Sequence, residues 1–177
     1  MTEVSQAVSY SAVIRAAGGF AIVSGILSIF GIIFLIAMFI LFSTPQKALG
    51  ETVGMLNDIL VATQYLMAVP IAIALYRILS PYNPSLIRIA TSIGIISMLV
   101  VLILQMLLVF GVLTFQQQGV WVSIAMMGGV GSWLVITGLV SRSAGVFPNS
   151  VLMSAIAVPY FGFPVWAIWL GKHLLRY

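Results

Sequence analysis

Long apolar runs, stopped abruptly by short stretches of turn-forming residues, constrain this chain more than any other feature. Five runs are legible, at roughly residues 19–42, 59–76, 86–115, 120–140 and 151–170. Each approaches or exceeds the ~20 apolar residues that cross a bilayer as a helix. Between them stand STPQKALGE, SPYNPS, FQQQG and SRSAGVFPNS, which place Gly, Pro, Asn or Ser where the apolar runs end. In lipid every backbone N–H and C=O needs a partner within the protein, so a spanning chain is helical or a closed barrel, and runs of this length select helices. The reading is an all-α, polytopic transmembrane helical bundle of about five spans, forming a single integral membrane domain over 1–177.

Composition supports that solvent. Of 177 residues, 62% are hydrophobic and 6% charged, against about 25% charged in soluble domains. The net charge of +4 is scattered. Without a basic stripe it excludes nucleic-acid recognition, while it suits loops lying on anionic lipid. There are no cysteines, and so no disulfides or thiolate chemistry.

Residues 1–19 are mixed in character and predict a short interfacial helix with Ala12, Val13 and Ala16 on one side. The run from Gly19 to Phe42 exceeds the apolar region of a signal peptide, about 7–15 residues, and reads as a retained span. The third run is longer than a span requires, which implies tilt or an extra turn. Five spans would place Arg15, Arg77, Arg88 and Arg142 on one side and Lys47, Lys172 and Arg176 on the other. That four-to-three split favours a cytoplasmic amino terminus. Tyr76, Tyr82, Trp121, Trp166 and Trp169 are expected at the interfaces, where amphipathic rings collect. Arg77 and Arg88 flank the YRILSPYNPS turn and are expected to anchor it at lipid phosphates.

Asp58 poses a choice. An intramembrane acid marks a proton or ion path in many membrane proteins. An Asn-Asp pair before an apolar run also starts a helix well, and a carboxylate there complements the helix dipole. The second reading, with Asp58 at the membrane boundary, is favoured. On the five-span layout Glu51 and Asp58 share a side with Lys172, His173 and Arg176, and pairing across that face is expected.

Gln64 and Gln105 are the polar side chains deepest within spans. They serve as interhelical hydrogen-bond partners or, alternatively, line a ligand cavity. Ala125 with Gly129, and Gly128 with Ser132, have the spacing that lets helices approach closely. Pro70, Pro159 and Pro164 fall within spans and weaken their helices. Gly162 between the last two makes that segment a candidate hinge. His173 has no companions with ligand spacing, and no hydrolase or nucleotide motif is present. No cofactor, metal site or catalytic set is expected.

Several patches resemble DUF4386, a family of small bacterial integral membrane proteins of unknown function. They are IALYRILSPYNPSLIRIATSIGII, the preceding LGETVGMLNDILVATQYLMAVPIA, WLVITGLVSRSAGVFPNSVLMSAIA and the ending PVWAIWLGKHLL. The resemblance implies a multi-pass protein of the bacterial inner membrane and brings no catalytic residues. Members of that family are often longer, with more spans. The expected role is a non-enzymatic structural, accessory or partner-binding bundle, working with the bilayer and with a second copy or another membrane protein. The alternative is a carrier or binder of a small hydrophobic or weakly polar ligand, held in a cavity formed by Gln64, Gln105 and the Pro159–Pro164 segment.

Overall fold

A computed structural model of the chain describes residues 2–147 and 159–177, and the side chains of 11–147 and 163–177. The described residues are helical: α1 Thr2–Phe42, α2 Lys47–Leu79, α3 Pro84–Val109, α4 Phe115–Ser123, a π-helical segment Ile124–Val130, α5 Gly131–Ala144 and α6 Pro159–Leu174. The π segment continues α4 into α5 without a break. Four helical stretches are long and apolar enough to cross a membrane: Ser11–Phe42, α2, α3 and the continuous Phe115–Ala144.

The helix ends follow from local chemistry. Asn83 caps α3, its Oδ1 accepting from the Leu86 N–H at 3.2 Å, with Pro84 in the first turn, where its missing N–H costs nothing. Gly111 closes α3 in the left-handed region at φ 71°. The Gly111 N–H reaches Leu108 O and the Val112 N–H reaches Leu107 O, so the orphan carbonyls of the last turn are satisfied. Gly145 ends α5 in the same way at φ 64°. Thr114 and Gln117 form a reciprocal capping box at the start of α4. The third expected span is therefore shorter than its apolar run, and the fourth begins five residues earlier than expected.

Two further expectations are corrected. Residues 2–18 do not form a separate helix; they run continuously into the first span. Gly18 and Gly19 do not break it, because Gly18 is a packing position (below). Asp58 does not start α2, which begins at Lys47 with Gln46 at its cap. Asp58 lies three turns inside.

Neighbouring helices are antiparallel. Phe42 packs on Gly50 and Met38 on Gly54, pairing α1 with α2. Trp133 lies over Gly94, and Ser97 meets Gly129, pairing α3 with the π segment and α5. Gly18 meets Gly171, Leu174 and Leu175, while Gly25 meets Pro164 and Ile168, pairing α1 with α6. Continuing that register sets Pro159 level with about Gly31, near the middle of α1. From there α6 runs to the end where α1 carries Arg15. Phe147, just past α5, stands at the same end, its ring 6.5 Å from that of His173.

The described part of the fifth expected span thus returns to the side it would have left; its first eight positions lie outside the described residues. Lys172, His173 and Arg176 consequently sit with Arg15, Arg77, Arg88 and Arg142. They do not face Glu51 and Asp58, and the expected pairing across that face is absent from the described arrangement.

The core is contiguous from α1 through α6. It is richest toward the basic end, where Ile14, Ala17, Leu79, Ile87, Trp133, Leu170 and Leu174 are almost fully buried.

Candidate functional site

Two polar layers cross the bundle. At the basic end Arg15, Arg77, Arg88, Arg142, Lys172 and Arg176 are all exposed. They account for six of the seven Lys and Arg side chains; the seventh, Lys47, opens α2 at the far end. Asp58 lies 19 residues before Arg77 on α2, and Gln105 lies 17 residues after Arg88 on α3. At a rise of about 1.5 Å per residue, both stand roughly 25–30 Å from the basic layer.

The far layer is built from amides. Gln105 and Gln118 are both buried, and the Gln118 Nε2 donates to the Gln105 Oε1 at 2.6 Å. That bond ties α3 to α4, the interhelical role expected of Gln105. Gln118 went unsuspected because FQQQG reads as a turn. Its signal was Thr114-x-x-Gln117, a capping box that places the helix start ahead of it. Asn57 is buried, its Oδ1 3.6 Å from where a Gly31 methyl would stand. Asp58 and Gln64 are half-buried. Trp121 is exposed at this level, as an interfacial ring should be.

Closer to the basic end the core is aromatic. Trp133 and Trp166 meet edge to face, centroids 6.2 Å apart, and Phe163 lies 5.6 Å from Trp166. Trp166 is 5% exposed, so it is a core ring and not the interfacial anchor its position suggested. Trp169 is half-buried and stacks edgewise on His173, whose Nδ1 is 3.1 Å from the Trp169 carbonyl oxygen. Tyr82 is exposed in the α2–α3 turn and Tyr76 is half-buried beside it, both at the basic end as expected.

Four buried polar atoms, Ser24 Oγ, Thr91 Oγ1, Trp133 Nε1 and Ser141 Oγ, have no hydrogen-bond partner among the described residues. Other buried hydroxyls bond within their own helix, such as Thr137 Oγ1 to the Trp133 carbonyl at 2.7 Å.

The expected ligand set is not brought together. Pro164 packs on Gly25, 10 residues from Arg15 along α1, whereas Gln105 lies near the far layer. Pro159 and Gly162 belong to α6, but their surroundings lie outside the described side chains. Of the small-residue pairs, Ala125 and Gly129 are buried against α3, while Gly128 and Ser132 face outward. No three His, Cys, Asp or Glu side chains converge among the described residues.

Antiparallel crossing-length helices, charge at the ends and large apolar side chains exposed between them are the pattern of a multi-pass membrane bundle. No family model matches the chain, and no curated protein or solved structure matches it.

Proposed function

We propose that this chain is a multi-pass protein of the bacterial inner membrane, with its basic end in the cytoplasm. In that membrane it serves as a non-enzymatic structural or partner-binding bundle. The carrying observation is the charge asymmetry: six basic side chains at one end against one at the other. Short basic segments are retained on the cytoplasmic side, and six to one is a far stronger bias than four to three. The spacing of the polar layers supports the same slab, since roughly 25–30 Å is close to the ~30 Å of a hydrocarbon core. Asp58 then stands at its outer boundary. The bacterial setting is supported by the resemblance to DUF4386. The packing role is supported by the Gln105–Gln118 bond, which holds helix to helix, and by buried hydroxyls such as Ser28 and Thr137 that bond within their own helix.

The absence of cysteine from the sequence makes the topology directly testable. A membrane-impermeant maleimide added to intact cells should label Ser43→Cys. Ser85→Cys and Leu175→Cys should react only after the membrane is opened. Labelling of Leu175→Cys together with Ser43→Cys would restore a fifth crossing; labelling of Ser85→Cys alone would invert the orientation. The role is tested by native mass spectrometry of protein released from nanodiscs. A second copy or a stoichiometric membrane protein is expected, and a stoichiometric small organic molecule would replace this reading with that of a carrier.

A further inference from the structure

The α1–α6 crossing gathers positive charge at one point. A methyl group on Gly18 would lie 2.9 Å from the Gly171 carbonyl oxygen and 3.0 Å from the Leu175 nitrogen. A methyl on Gly171 would lie 2.6 Å from the Gly18 carbonyl oxygen. The two backbones are therefore in contact, which only glycine permits here. Arg15 stands one turn before Gly18, Lys172 follows Gly171, and Arg176 follows Leu175. Arg15 on α1, Lys172 on α6 and Arg176 in the turn just past α6 thus stand within about one turn, roughly 5 Å, of a single backbone contact. All three are exposed. Glu51 and Asp58, the acidic residues whose side chains are described, belong to the far half of α2.

We propose that Arg15, Lys172 and Arg176 bind the headgroup phosphate of an anionic phospholipid. The inference rests on the membrane reading above. The crossing lies in the same layer as Arg77 and Arg88, the depth at which that slab puts lipid phosphates. Two guanidinium groups offer forked donors suited to a phosphate, and the ammonium adds a point charge. The lipid's net negative charge distinguishes it from a zwitterionic neighbour, which brings its own cation. Rigidity adds selectivity, because the glycine contact fixes the spacing of the helix that carries Arg15 and the helix that carries Lys172 and leads into Arg176.

The test uses the full chain in nanodiscs of phosphatidylcholine with a minority of phosphatidylglycerol, released into the mass spectrometer under native conditions. The unaltered protein should retain one phosphatidylglycerol in preference to phosphatidylcholine. Each basic side chain near a lipid surface contributes roughly five-fold, so Arg15→Gln with Arg176→Gln should lower that preference roughly 25-fold. Arg88→Gln with Arg142→Gln removes the same charge from the same end but off the crossing, and should lower it far less, by about five-fold at most. Far-UV circular dichroism establishes that all variants are equally helical. Equal retention of both lipids by the unaltered protein overturns the inference. So does an equal fall in the Arg88/Arg142 pair and the Arg15/Arg176 pair, which describes a diffuse basic surface. Failure of the protein to enter nanodiscs removes the membrane reading itself; entry without lipid preference removes only the bound headgroup.

Discussion

Gly171→Ala isolates the α1–α6 contact with a single methyl group. That methyl would stand 2.6 Å from the Gly18 carbonyl oxygen and 2.6 Å from Ile22 Cγ1, where ordinary contact begins near 3.4 Å. Ile22 Cγ1 can shift, but the Gly18 carbonyl is backbone, so the helices must separate by several tenths of an ångström. Overpacking of this kind costs about 1–3 kcal/mol. Alanine returns about 1 kcal/mol of helix propensity, leaving a net loss of about 0–2 kcal/mol. Gly19→Ala is the control: it adds the same methyl to α1, where nothing lies within 4 Å, and only the propensity gain remains. Equilibrium unfolding in mixed detergent, followed by tryptophan fluorescence, should separate the two variants by about 2 kcal/mol, or nearly thirty-fold in the unfolding constant. Trp166 and Trp169 on α6 report the contact directly. Equal stability of Gly171→Ala and Gly19→Ala would refute the close approach of α1 and α6.

Three other expectations follow from the same packing. Gln118→Leu alone should cost about 1–3 kcal/mol, because it strands the Gln105 amide. Combining it with Gln105→Leu should recover part of that loss, measured by the same unfolding titration as a positive coupling of about 1 kcal/mol. Gly94→Ala would place a methyl 2.6 Å from Trp133 Cγ and 2.8 Å from its Cβ. It should destabilise by about 1–3 kcal/mol, and a double-mutant cycle with Trp133→Leu should show clear coupling. Asp58→Ala and Arg176→Ala, now placed at opposite ends, should add to within about 0.5 kcal/mol; coupling beyond that would contradict the position of α6.

The bundle class was legible because apolar runs of spanning length admit few other folds. So was the α2–α3 turn, where Asn83 and Pro84 act as such residues usually do at a helix start. Depth was much less legible. An apolar run such as 151–170 has the same composition whether its helix crosses the bilayer or returns, and only the glycine contacts at Gly18, Gly25 and Gly171 decide the direction of α6. The same ambiguity moved Trp166 from a membrane surface into the core. Asp58 was read as a helix start, but the start lies at Lys47, because the polar segment ahead of Asp58 is itself helical. Gln64 and Gln105 looked alike in sequence, yet of the two only Gln105 bonds another amide among the described residues, because Gln118 stands opposite it.

The π-helical segment between α4 and α5 keeps the two in rotational phase. The buried positions Ala125, Gly129, Trp133, Thr137 and Ser141 recur every fourth residue. In an unbroken α-helix each such step overshoots a full turn by about 40°, so the last of them would drift about 160° from the first. The wider i→i+5 turns of Ile124–Val130 absorb about one extra residue, which removes about 100° of that drift. The remaining ~60° fits within the apolar stripe one helix face provides. Deleting a single residue from this segment would restore ordinary helix geometry locally. It would also swing Trp133 off Gly94 and turn the whole of α5 relative to α3, so here the regular helix is the disruptive one.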